Sequence, residues 1–239
     1  MCLIAIALGA SKFSLVIAAN RDEDYDRPTL PAHFWADAPN ILGGRDALHG
    51  GTWLAITRSG RFAAVTNLRG SVREAQKRSR GELVSNFVRA DVAPLPYIKD
   101  VAAHAAEYAG FHLIAGTRSE AVELSGIVSK LGDGIRALTN APPGIRWPKA
   151  DTAEDEMHKL LSTSGADDLA SAILQFLSTP LGSGRVESEV FIAGERYGTR
   201  SSTAIVATSE HIIFAEQAYA RGGARDGAPR QFRFLISAP

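Results

Sequence analysis

The sequence predicts an α+β fold, antiparallel sheet with helices packed outside it. Three observations carry that expectation: apolar runs come in hairpin pairs near the start, two later blocks switch to a helical apolar period, and strand-like runs return after each block. CLIAIAL and FSLVIAA are short continuous apolar runs separated by Gly9, Ala10, Ser11 and Lys12, the pattern of neighbouring strands buried on both faces. A second hairpin is expected in GTWLAITRSGRFAAVTNLRG, with Ser59 and Gly60 turning between Trp53 to Thr57 and Phe62 to Thr66.

RGELVSNFVRA and PLPYIKDVAAHAAEYA then place apolar residues three and four apart, and Pro94 and Pro96 are expected to separate two helices. FHLIAG, AVELSGIV and GIRALTN read as strands. DTAEDEMHKLLSTS, with Asp151 as N-cap, and ADDLASAILQFL read as helices. VFIAG, STAIVATS, HIIFAEQAY and RQFRFLIS complete the strands, while ILGGRDALHGGTW, with its glycine pairs, reads as a loop beside a pocket. No repeat or linker divides the 239 residues, so a single domain over 1–239 is expected.

Composition narrows the function. The 26 basic residues balance the 26 acidic ones without a long like-charge run, which leaves no electrostatic footprint for nucleic acid or an anionic membrane. One cysteine makes no internal disulfide, and no zinc spacing is present, so a reducing cytoplasm is the expected compartment. MCLIAIALGASKFSLVIAAN has the apolarity of a secretory signal but no basic leading segment. Its runs are too short to span a membrane, and a hairpin accounts for it better.

That cysteine is Cys2. A lone cysteine is ordinarily a small buried hydrophobe. At this position, removal of Met1 puts thiol and α-amine on one residue, and an amine of pKa near ~8 accepts a thiol proton around neutrality. AANRDEDYDRP reads either as a solvated loop or as charge delivered to Cys2, because a hairpin closed by GASK brings residues 19 to 22 to the same sheet end. There Arg21 would lower the thiol pKa and Asp22 would hold the α-ammonium. Asn67 in TNLRG and Asn140 in LTNAPPG suit turns, and equally suit an oxyanion. Arg200, among the hydroxyls of YGTRSSTAIV, is either a surface residue or a ligand for carboxylate or phosphate.

Taken together, the MCL start, Asn20-Arg21-Asp22-Glu23 followed by Arg27 and Pro28, GGTW, TNLR, LTNAP with WPK, and YGTRSST resemble the NRDE family, of the transport and Golgi organisation type, over essentially the whole chain. That family in turn resembles N-terminal nucleophile hydrolases of the penicillin V acylase and bile-salt hydrolase kind. The resemblance implies a four-layer αββα sandwich with antiparallel sheets. It also implies cofactor-free hydrolysis of a linear amide or thioester, with Cys2, Asp22, Asn140, more loosely Asn67, and Arg200 in the catalytic positions. Arg21 is adjacent to Asp22 where the acylases space the two apart, and adjacent residues on a strand face opposite sides. The family's links to haem trafficking and lipid or acyl-CoA homeostasis imply an alternative: a carrier using the same cleft, with haem as ligand and His33 and His49 as candidate haem contacts.

Overall fold

The computed structural model describes residues 2–10, 12–71, 77–163 and 165–237. Ser11, within the expected first turn, and Met1 lie outside the described residues. In chain order the strands are β1 (Leu3–Ala10), β2 (Phe13–Asp24), β3 (Thr29–Trp35), β4 (Ala38–Asp46), β5 (Leu54–Thr57), β6 (Phe62–Asn67), β7 (Phe111–Gly116), β8 (Ala121–Ser125), β9 (Ile127–Leu131), β10 (Gly134–Thr139), β11 (Tyr197–Ala207), β12 (His211–Ala218) and β13 (Arg230–Leu235). The helices are α1 (Arg80–Arg89), α2 (Pro94–Ala103), α3 (Pro148–Thr163) and α4 (Ala166–Leu177). The fold is α+β, and the described residues form two antiparallel sheets.

The chain arranges as two compact units. The first comprises Met1–Arg27, Asp133–Thr139 and Arg146–Ile236. Its sheet runs β10-β1-β2-β11-β12-β13, and α3 and α4 pack on it. Leu3, Ala5 and Ala7 alternate along β1 onto the face that meets Met157 of α3 and Leu169, Ile173 and Leu177 of α4. Ile4, Ile6 and Leu8 point the other way and are buried too, which is why the run is continuously apolar.

The second unit comprises Pro28–Gly132, Asn140–Ile145 and Ser237–Pro239, with sheet order β3 through β9. Its core joins Trp35, Leu113 and Val122 to Phe87 of α1 and Ile98 of α2. Phe87 is fully buried, and its truncation to alanine would cost about 3–5 kcal/mol.

Several local expectations are corrected. Pro94 and Pro96 do mark the break between α1 and α2, and they do so from inside the first turn of α2: Pro94 is its first helical residue, where a missing N–H costs nothing. Asp151 lies within α3, three residues past its start, instead of capping it. VFIAG joins neither sheet. ILGGRD belongs to β4, not to a loop.

Candidate functional site

The first unit concentrates charge at one sheet end. Leu3 pairs with Asn20, so the antiparallel register sets Cys2, one residue earlier, opposite Arg21. NRDE is strand rather than loop, because β11 pairs with β2 from Leu15 to Asp24. Asp22 opposes Thr199 and Arg21 opposes Ser201, so Arg200 is the extra residue of a bulge.

Alternation along β2 separates the two charged neighbours. Asn20 and Asp22 lie on the helix-covered face. Asn20 donates from Nδ2 to Leu177 O and Val190 O, both at 2.8 Å, and accepts from Ser202 Oγ at 2.6 Å. Asp22 Oδ1 accepts the Thr199 hydroxyl at 2.7 Å, and its carbonyl accepts the Tyr197 hydroxyl at 2.9 Å. Arg21 turns to the other face and reaches Glu23 Oε2 at 3.8 Å, an oxygen 3.7 Å from Arg27 Nε.

Both residues nevertheless act on Cys2. The thiol receives the backbone N–H of Asp22, and the Arg21 guanidinium lies across the strand pair from it. Burial pushes the Cys2 thiol above its ordinary range and the Asp22 carboxylate adds to this. The Asp22 N–H and Arg21 oppose it. Burial also pushes the Asp22 carboxyl up, opposed by the Lys149 ammonium and the Thr199 hydroxyl. Arg21 is driven down by its own burial, with Glu23 favouring its charge. The thiol is therefore held neutral at rest, with a donor and a cation positioned to stabilise developing negative charge on sulfur.

Arg200 occupies a different place. Its Nη1 donates to the carbonyls of Asp24 at 3.0 Å, Tyr25 at 2.7 Å and Arg27 at 3.3 Å, fastening the chain as it leaves β2. The bulge points this side chain along the strand end.

In the second unit Asn140 and Asn67 come together. Asn140 Nδ2 donates to Asn67 O, and Asn140 O accepts the N–H of Arg69 at 2.9 Å. His33 Nδ1 sits 2.8 Å from Pro31 O on β3, while His49 lies in the exposed turn after β4. A cleft of about 290 Å³ in this unit is lined by Arg78 just ahead of α1, by residues of α1 and α2 and by the segment after them, including Tyr97, His104 and Tyr108, and by none of the expected site residues. Among the described residues no group of three or more His, Cys, Asp or Glu side chains converges as a metal site, and no helix is long and apolar enough to cross a membrane.

Sequence reasoning missed Lys149 and Thr199 as neighbours of Asp22. Thr199 was visible only as one hydroxyl among several. Lys149 follows Pro148 at a helix start, where a lysine reads as solvated, yet it is fully buried.

The architecture is that of N-terminal nucleophile hydrolases. A mutant conjugated bile acid hydrolase from Clostridium perfringens superimposes with a TM-score of 0.53 at 6% identity, covering 100% of this chain and 97% of that one. The Caenorhabditis elegans orthologue of N-acylethanolamine-hydrolyzing acid amidase gives 0.50 at 13% identity, covering 86% and 92%. Within that architecture the chain belongs to the Transport and Golgi organisation 2 family, whose profile matches residues 1–221. The human Transport and Golgi organization protein 2 homolog is 32% identical over 91% of this chain and 92% of its own length. The Drosophila melanogaster protein is 26% identical over 88% and 89%.

Proposed function

We propose that the protein is a cysteine amidohydrolase or thioesterase that acts through Cys2 once Met1 has been removed. The observation that carries this reading is the Asp22 N–H on the Cys2 thiol with Arg21 across the strand pair. One fold neighbour is by name an acid amidase and another a conjugated bile acid hydrolase, which favours a linear amide as the substrate class.

The α-amine of Cys2 takes the thiol proton, and sulfur attacks the acyl carbonyl, forming the S–C bond and an oxyanion. Collapse of that intermediate breaks the C–N or C–S bond, and the α-ammonium gives its proton to the leaving group. Water, deprotonated by the same amine, then attacks the thioester on Cys2, releasing a carboxylic acid and restoring the thiol. Asp22 orients the amine, Arg21 supports the thiolate, and Arg200 holds the end of β2 that presents both. The oxyanion is assigned to Asn140 and Asn67, on resemblance alone. The route uses no cofactor.

The test is a panel of acyl amides and acyl thioesters offered to the wild type and to Cys2→Ala, with haem and acyl-CoA binding measured on both. Turnover that disappears in Cys2→Ala supports the hydrolase. Saturable haem or acyl-CoA binding, equal in both proteins and without turnover, replaces it with the carrier.

A further inference from the structure

His112 interrupts the apolar strand FHLIAG with a polar side chain, and it is 3% exposed. Phe111 and Leu113 on either side belong to the core under α1 and α2, so alternation along β7 turns His112 to the opposite face of the sheet. In the ladder with β6 it opposes Thr66, while Phe111 opposes Asn67. A polar group this deep needs a hydrogen-bond partner, and His112 Nε2 lies 2.7 Å from the carbonyl oxygen of Ala141. A carbonyl only accepts, so Nε2 carries the proton and donates.

The acceptor gives this bond its interest. Ala141 directly follows Asn140, both are buried, and both belong to the second unit with His112. Beyond Thr139 the chain has left β10, and Pro142 and Pro143 have no N–H with which to fasten it again. Donors from neighbouring elements hold it instead. Asn140 O accepts the N–H of Arg69 at 2.9 Å, Ala141 O accepts from His112, and the Asn140 side chain reaches back to Asn67 O through Nδ2. The peptide on each side of the Asn140–Ala141 bond is thus pinned, one of them by an imidazole. A side-chain amide that answers developing charge must be held to within about 0.5 Å, which a proline-rich segment alone does not secure.

We propose that His112 is a positioning residue for Asn140: by fixing the Ala141 carbonyl, its Nε2–H sets the direction of the Asn140 side-chain amide. Service of that amide to an acyl oxyanion rests on the hydrolase reading; the hydrogen bond and its hold on Asn140 do not.

The experiment is ¹⁵N NMR of the full chain, reading the His112 imidazole, assigned with His112→Phe, and the Asn140 side-chain amide, assigned with Asn140→Ala. A proton on Nε2 is expected in the wild type, and a proton on Nδ1 alone overturns the proposal. The Asn140 amide signal is expected to move in His112→Phe and to return toward its wild-type position in His112→Gln, whose amide N–H can replace Nε2–H. A signal unmoved in His112→Phe, or displaced equally in both variants, overturns the proposal, because a packing role alone would give either. Should His112→Phe fail to fold, His112→Asn, whose shorter side chain falls short of Ala141 O, takes its place with the same outcomes. In an active protein His112→Phe is also expected to lower kcat by about tenfold or more with little change in KM, and His112→Gln to recover most of it. An inactive protein whose Asn140 signal moves as expected retires the hydrolase reading and leaves the positioning standing.

Discussion

Thr199 donates its hydroxyl to Asp22 Oδ1 at 2.7 Å, and the Thr199 Oγ1 in turn accepts the backbone N–H of Ile192 at 3.0 Å. One side chain on β11 thereby holds the acid beside the thiol and fixes the irregular segment that precedes β11. Thr199→Val keeps the shape and deletes both bonds, one of them to a carboxylate. Its cost is expected to be about 2–4 kcal/mol in urea unfolding, with Thr199→Ser recovering most of it. Equal midpoints for Val and wild type would contradict this role.

Asn20 is the structural member of the NRDE run. Its amide joins β2 to the end of α4 at Leu177 and to Val190, and Ser202 closes the set. Asn20→Asp replaces a donor to two carbonyls with a group that repels them, and a loss of about 3 kcal/mol or more is expected at neutral pH. Denaturation at pH 7 measures it, and a loss below 1 kcal/mol would show that the two carbonyls find other donors.

Arg200 is expected to govern local order. With Nη1 spread over three carbonyls at the exit of β2, Arg200→Ala should raise amide hydrogen exchange through residues 24–27 while β1 stays protected. Exchange unchanged in that segment would return Arg200 to the role of a carboxylate or phosphate ligand.

The pH dependence of stability carries a sign. Burial lifts the folded-state pKa of Asp22 above its ordinary 3.8, so the stability it contributes is complete below that value and is lost as pH rises through the folded pKa. Asp22→Asn removes this loss. The stability difference is therefore expected to move in favour of Asn as pH rises from about 4 toward neutrality, read from urea midpoints at successive pH values. A difference moving the other way would mean that Lys149 and Thr199 outweigh burial.

Much of this was legible in the sequence. Runs buried on both faces, such as CLIAIAL and FSLVIAA, announce strands because nothing polar interrupts them, and Cys2, Arg21 and Asp22 follow from closing that hairpin. The strands β3 and β4 were not legible, because Gly43 and Gly44 look like loop residues. They are strand residues at close approaches: a Cβ on Gly44 would overlap the Trp53 ring, and one on Gly43 would lie 2.6 Å from Leu54 O. VFIAG failed in the opposite sense, since its short apolar run buries Val190 and Phe191 without any sheet partner. Arg200 could not be placed from its neighbours in sequence, because the bulge that directs it depends on pairing with β2. Lys149 escaped because burial of a charge depends on what packs over it.

The central claim is that Cys2, freed of Met1, carries the acyl group. Intact mass of the purified protein, before and after brief exposure to an activated acyl thioester, tests it most directly, because the chain contains a single cysteine. The account predicts a mass lacking Met1, then one added acyl group on the N-terminal peptide that is absent from Cys2→Ala and decays with release of free acid. A chain that lacks Met1 and takes up no acyl group, or takes it up equally in Cys2→Ala, would contradict it.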